Sequence, residues 1–325
     1  MDMEKLRLGA IGVGGMGGSH AKLAAAHERV DVVCVADLDQ ARAAQFGTDL
    51  AAAATTDYRD LLARDDVDAV VVSTPNPLHY AIALECLQAG KHTAVEYPIA
   101  QTVEEYDALC RTADDQGVLL VDILTPAVEP QPLLMAKLAP RIGEIMTMRS
   151  VYTGGPTDWY SDTARRGNFF AALTIHNIVY YNVLLGESPL WVDGALHLDD
   201  DLPFHSGHYM SQYPCGALAF NEWHMGSTNG SRWQWAVEGE KGRLVFDRER
   251  YGGDTVKLVT RDGEEEFSLS AVANDAHALA IGSLVRQTLD GDACPYVTRT
   301  FSRDILRICE AAQQSAAEGR RICLA

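Results

Sequence analysis

Short apolar runs and amphipathic stretches alternate through the first third of the chain. "LRLGAIGVG" reads as a strand entering a glycine loop, "SHAKLAAAHE" as a helix and "VDVVCVAD" as a second strand. The alternation continues through the helix "ARAAQFGTDL", the strand "DAVVVSTP", the helix "HYAIALECLQAGK" and the strand "HTAVEYP". "TVEEYDALCRTADDQG" is a helix capped by Thr102, with Glu105 three residues on, and "VLLVDIL" is a fifth strand. Apolar runs separated by helices predict a parallel sheet covered on both faces. After about residue 123 the period changes. "EIMTMRSVYTGG", "LWVDGALHLDD", "GALAFNEWHMG", "RWQWAVEGEKGRLVFDR" and "DTVKLVTRDGEEEFSLS" alternate apolar and polar positions, as antiparallel strands with one covered face do. One helix, "FFAALTIHNIVYYNVLLGE", interrupts them, and two more close the chain. The expected division is residues 1–123 and 124–325, joined abruptly near Pro126, with the C-terminal helix able to pack back on the first domain.

Composition narrows the function classes. The chain has 325 residues, 47% hydrophobic and 22% charged, with no apolar run of the ~18 residues that a membrane span needs. Its N-terminus lacks a signal-like apolar core, so the reading is a soluble cytoplasmic protein. The net charge of -18, from 45 acidic and 27 basic residues, argues against nucleic acid and anionic membranes as partners. Seven scattered cysteines without a Cys-x-x-Cys pair suit reduced thiols. His205 and His208 in "HSGH" read as a loop or strand-edge pair, and no metal site is expected.

The glycine loop carries the first chemistry. Gly12-x-Gly14-x-x-Gly17 follows a strand and opens a helix, the context that gives this pattern meaning. Gly12 permits a tight turn, Gly14 lets backbone approach a pyrophosphate, and Gly17 allows close helix packing. The helix N-terminus favours phosphate charge, and Gly15 and Met16 join the cofactor-binding set. Asp37, 20 residues after Gly17, can accept hydrogen bonds from an adenosine ribose. No Arg follows it directly, which tilts the choice between NAD and NADP towards NAD.

"AIGVGGMGGSHA", "VVVSTPNPLHYAIALECLQAGKHTAVEYPIA" and "AAQQSAAEGRRICL" resemble segments of the glucose–fructose oxidoreductase, inositol dehydrogenase and MocA (Gfo/Idh/MocA) family. The resemblance implies an α/β chain: a Rossmann doubly wound parallel sheet, then an α/β domain with a large, mostly antiparallel sheet. It also implies homo-oligomers, dimers or tetramers, through that sheet. Ser73, Thr74, Pro75, Asn76 and His79 would lie beside the nicotinamide half of the cofactor, with Glu96 and Tyr97 nearby. The family's Glu-Lys-Pro corner is Glu96-Tyr97-Pro98 here. Its catalytic Asp, four residues before His176 in "GNFFAALTIH", is Ala172.

Those replacements shape the functional expectation. Hydride transfer needs a proton partner at the attached oxygen or nitrogen. Tyrosine ordinarily ionises near pH 10, so at neutral pH it is a donor and suits reduction better than oxidation. Tyr97 is thus the expected proton donor and His176 a second catalytic candidate. Glu-Tyr-Pro also resembles the biliverdin reductases, a reductive branch of the family. Trp159, Tyr160, Arg165 and Arg166 are candidate substrate contacts, whereas Trp223, Trp233 and Trp235 read as sheet core or subunit interface. The leading expectation is an NAD(P)-dependent reductase of a small molecule. A dinucleotide-binding sensor without turnover, and a sugar or polyol dehydrogenase with rewired acid–base groups, stand beside it.

Overall fold

A computed structural model describes residues 4–154, 162–198, 205–226, 232–248, 253–272, 275–293 and 296–324. The chain divides into two compact units, Met1–Thr125 with Asp275–Leu306, and Pro126–Asn274 with Arg307–Ala325. The segment Asp275–Leu306, which the sequence reading counted with the second domain, therefore belongs to the first unit.

In the first unit, strands β1 (Leu6–Ile11), β2 (Val30–Ala36), β3 (Ala53–Thr55), β4 (Ala69–Val72), β5 (His92–Glu96) and β6 (Leu120–Ile123) alternate with helices α1 (Gly15–Ala26), α2 (Gln40–Asp49), α3 (Tyr58–Leu62), α4 (His79–Gln88) and α5 (Val103–Gln116). The sheet is parallel, in the order β3-β2-β1-β4-β5-β6. Chain order reverses between β1 and β4, and open α/β sheets bind ligands at the carboxyl ends of strands at such a point. β4 is buried along its whole length because helices cover both faces. Each such valine contributes about 1.5–3 kcal/mol of burial. Helix starts follow sequence chemistry. Asp39 accepts hydrogen bonds from the Ala41 and Arg42 amides, and Thr102 from the Glu105 amide, while the Glu105 carboxylate takes the Gln101 amide. One core layer is closed by Ala280, Ile281, Leu284 and Val285, which lie on a helix from Ala276 to Asp290.

The second unit opens with α6 (Pro130–Leu138) and β7 (Ile145–Gly154), followed by the short helix α7 (Thr163–Arg166). A π-helical turn, Phe170–Thr174, leads into α8 (Ile175–Leu185). Strands β8 (Trp191–Leu198), β9 (His205–Gln212), β10 (Leu218–Met225), β11 (Arg232–Gly239), β12 (Gly242–Asp247), β13 (Thr255–Thr260) and β14 (Gly263–Ser268) follow. The Ala276–Asp290 helix, α9, belongs to the first unit, and α10 (Arg299–Glu318), which passes from the first unit to the second after Leu306, precedes β15 (Ile322–Cys323). The sheet runs β14-β13-β12-β11-β7-β10-β9-β8-β15, parallel only between β7 and β10. Its covered face is aromatic. Tyr180 stacks on Trp235 at 5.0 Å and Trp233 at 5.9 Å, and Trp223 packs against Phe169 and Phe170 at 5.2 and 5.6 Å. Trp223 and Trp235 are core residues; Trp233 is half-buried.

β9 corrects one expectation. His205 and His208 lie on an interior strand between β8 and β10, not on a loop or edge. Residues three apart on a strand point to opposite faces, so this pair cannot share an ion. A carboxylate is also at hand, since His208 Nε2 lies 3.4 Å from Asp193 Oδ1.

Candidate functional site

The loop between β1 and α1 closes only with glycine. Gly12 has φ 79°. A Cβ there would lie 2.8 Å from the Ser73 carbonyl oxygen, and one on Gly17 would lie 2.0 Å from the Gly12 oxygen. The loop is thus pressed between the backbone after β4 and the first turn of α1. That turn begins at Gly15 with Gly14 as a cap that offers no side-chain hydrogen bond, and no acidic residue occupies it. Helix N-termini carry unpaired N–H groups and a positive dipole end, so this one fits a phosphate. Met16 stands exposed beside it.

Asp37 follows β2 and is already engaged. Oδ2 accepts from the Val13 amide at 2.9 Å, and Oδ1 from the Asp39 amide at 2.9 Å. Arg42 Nη1 approaches both oxygens at 3.1 and 3.3 Å. Arg42 also borders the open face of Gly14, where a Cβ would meet Nη1 at 3.3 Å. The arginine absent from the residues directly after Asp37 is therefore supplied one helical turn later.

After β4, Ser73 and Thr74 lead into a 3₁₀ turn, Asn76–Leu78, with Asn76 buried. His79 is fully buried, with Nε2 2.6 Å from the Thr74 oxygen and Nδ1 2.8 Å from the Pro98 oxygen. Burial lowers its pKa while the backbone carbonyls pull it back up. Both nitrogens face backbone carbonyls, so His79 lies between the Ser73–Asn76 segment and the Glu96-Tyr97-Pro98 corner. Tyr97, directly after β5, is half-buried.

Behind this corner lies a partly buried polar cluster. His20 Nδ1 is 3.0 Å from Ser73 Oγ, and its Nε2 is 2.9 Å from His277 Nδ1 and 3.1 Å from Glu96 Oε2. Hydrogen-bond geometry favours His277, leaving Glu96 Oε2 at ion-pair distance without a directed hydrogen bond. Burial first, then the neighbouring His277, pushes His20 down to about 4. Burial, reinforced by Asp122, raises Glu96 well above the usual carboxylate range. Asp122 is itself pushed up to about 7 by burial, against the opposing hydrogen bond from Ser302. The Tyr296 hydroxyl donates to the Asp122 carbonyl at 2.6 Å.

Asp122 gives a signed pH prediction. Its folded-state pKa lies above the ordinary 3.8. The folded chain therefore holds the proton more tightly, and stability falls as pH rises from about 4 through about 7. Asp122→Asn should remove about 2–4 kcal/mol of that fall. Urea unfolding of both proteins at pH 4.5 and 8 in chelating buffer measures it, and equal losses would refute the assignment.

In the second unit, His176 lies in the first turn of α8, its Nδ1 3.2 Å from the Leu173 oxygen. A carbonyl only accepts, so Nδ1 carries the proton in this bond. Ala172 is buried within the π-helical turn. Arg165 is exposed and pairs with Asp162 at 3.0 Å. Arg166 is buried, donates to the Gly167 carbonyl at 3.1 Å and lies 4.9 Å over the Phe169 ring. Trp159 and Tyr160 lie outside the described residues.

Sequence reading missed Arg42, His20, His277, Asp122 and Tyr296. Only Asp122 left a signal: a carboxylate inside the apolar strand "VLLVDIL".

The parallel sheet, its glycine loop and the carboxylate after β2 define a dinucleotide-binding Rossmann unit. Residues 6–122 match the profile of the Gfo/Idh/MocA family, described as an oxidoreductase family with an NAD-binding Rossmann fold. A glycosyl hydrolase family 109 protein of Shewanella baltica (strain OS195) is 38% identical over 128 residues, which are 34% of this chain and 27% of the relative. The chain thus spans 27% of the length of that curated relative. GenD2 from gentamicin A biosynthesis, solved in complex with NAD, superposes with a TM-score of 0.85 at 25% identity, covering 100% of this chain and 98% of that one. Biliverdin reductase from Synechocystis sp. PCC 6803, solved with biliverdin and NADP+, gives 0.86 at 22% identity, covering 96% and 99%, a likeness of fold.

Proposed function

We propose that the chain is an NAD(P)-dependent oxidoreductase acting as a reductase on a C=O, C=N or conjugated C=C of a small molecule, with Tyr97 as proton donor. The observation that carries this reading is the half-exposed phenol directly after β5, on a corner that shares His79 with the loop after β4. When bound, the dinucleotide supplies the hydride. The loop Gly12–Gly17 and the start of α1 would hold its pyrophosphate, and Asp37 its ribose. Arg42 suits a 2′-phosphate as well as Asp37 suits a free hydroxyl, so both NAD and NADP belong to the proposal. The Tyr97 hydroxyl hydrogen-bonds the acceptor atom and gives up its proton as the carbon is reduced. His176 is the second proton-handling candidate.

The sensor reading draws on one specific observation: Tyr97 and Ala172 stand where the family carries Lys and Asp. A screen of aldehydes, ketones, imines, sugars and linear tetrapyrroles against NADH and NADPH separates the two. Consumption that disappears in Gly14→Val supports the reductase; dinucleotide binding without turnover on any class supports the sensor.

Cytoplasmic location and a homo-oligomer belong to the same proposal. Among the described residues no helix is long and apolar enough to cross a membrane. The second unit's sheet has an uncovered face, alternating with its core positions along β10, where Phe220, Glu222 and His224 are partly or fully exposed. Copies of the chain would associate there.

A further inference from the structure

We propose that His20, Glu96 and His277 form a binding site for one divalent transition-metal ion, zinc being the ion best suited to it. Three elements far apart in sequence bring the ligands together: α1, the end of β5 and the first turn of α9. Nε2 of His20, a carboxylate oxygen of Glu96 and a ring nitrogen of His277 all lie within 4.8 Å of one another. Zn–N and Zn–O bonds of about 2.0–2.2 Å at tetrahedral angles separate neighbouring ligand atoms by about 3.3 Å. The observed separations from His20 Nε2, 2.9 Å to His277 and 3.1 Å to Glu96, need open by only a few tenths of an ångström.

Hydrogen bonding alone leaves this cluster unsatisfied. His20 Nε2 is engaged with His277 Nδ1 at 2.9 Å, and Glu96 Oε2 faces it at 3.1 Å without a directed bond. That oxygen is buried, with no hydrogen-bond partner. A cation accepts all three lone pairs at once. The rest of the site is built for one. Ser73 Oγ, 3.0 Å from His20 Nδ1, fixes the ring orientation, as outer hydrogen bonds do for metal-bound histidines. Asp122 adds a second carboxylate to the electrostatic surroundings of Glu96, which favours a divalent ion.

Two imidazoles and one carboxylate suit zinc better than magnesium or calcium, which prefer oxygen donors. Three protein ligands leave a further position for water. The ion would fasten the start of α9 to α1 and β5, joining the segment after Asp275 to the sheet. This inference does not depend on the reductase reading.

The test uses the full chain, stripped with a chelator and dialysed against zinc. Retained metal is counted by plasma mass spectrometry, and cobalt loading is followed by visible absorption. Wild type should retain one equivalent, give the d–d bands of a four- or five-coordinate cobalt site and melt at a higher temperature when loaded. His277→Ala and Glu96→Gln, folded by circular dichroism, should bind at least tenfold more weakly, whereas Cys215→Ser should not change. Wild type without stoichiometric zinc and without cobalt bands would overturn the proposal. So would folded His277→Ala retaining zinc as wild type does.

Discussion

Tyr97→Phe is expected to lower turnover of an accepted substrate by about 10²–10⁴-fold, with the dissociation constant for dinucleotide near its wild-type value. The substitution removes one oxygen from a half-buried ring and keeps the His79 contacts with the Thr74 and Pro98 carbonyls beside the corner. A general acid acts in the transition state, so its loss falls on kcat and on kcat/KM together. If only KM rises, the phenol binds substrate without moving a proton. Turnover equal to wild type removes Tyr97 from the mechanism. The reverse substitution tests the third reading: Tyr97→Lys with Ala172→Asp should raise polyol oxidation if the site is a rewired dehydrogenase. Loss of all activity in that double variant would mark a site diverged for other chemistry.

Much of the fold was legible because burial writes itself into composition. The strands containing Leu8, Val32, Val71, Val95 and Val121 are apolar on both faces, since helices cover both. A strand with one face in water would alternate polar and apolar positions instead. β3 was not legible: Ala53–Thr55 is three small, largely exposed residues at the sheet edge. β9 was hidden differently. "HSGHYMSQ" is polar, yet Ser211 is fully buried and Gly207 lies opposite Trp223, whose indole fills the space a side chain would take. Apart from Tyr209, which is fully buried, the strand contributes room more than apolar surface, which periodicity cannot register. Helix α6 escaped because the reading took Pro126 as a boundary and did not use Pro130 as a helix start, a position where proline is favoured.

The site divided along the same line. Local chemistry was legible: the glycine spacing, Asp37 and the Glu-Tyr-Pro corner each sit within a few residues of a strand end. Chemistry assembled from distant segments was not. Nothing in the spacing of His20, Glu96 and His277 suggests contact, and their meeting depends on α9 returning to the first unit. His79 shows the converse. Its place in "STPNPLH" suggested a cofactor contact, but its ring lies fully buried between two backbone carbonyls.

Gly17→Ala is expected to abolish measurable dinucleotide binding and to destabilise the first unit, although it adds a single methyl group. That methyl would sit 2.0 Å from the Gly12 carbonyl oxygen and 2.9 Å from Ser73 Cβ. Backbone cannot rotate away as a flexible side chain would, so the first turn of α1 must move off the loop by about an ångström or more. Overpacking costs about 1–3 kcal/mol where neighbours can yield, and here the cost should reach the upper end. The same displacement withdraws the helix N-terminus from the phosphate position, where its dipole acts only within the first turn. Gly15→Ala, in the same phosphate loop, is the control for packing and stability only. Gly15 has φ 43° with nothing within 4 Å of its Cβ position, so alanine there carries only the left-handed backbone cost, about 1–2 kcal/mol, and leaves the packing intact. Thermal melts and NADH fluorescence titrations of both variants distinguish the effects. Wild-type affinity in folded Gly17→Ala would show that the loop does not hold the pyrophosphate through this helix, and the cofactor site would then have to lie elsewhere on the sheet.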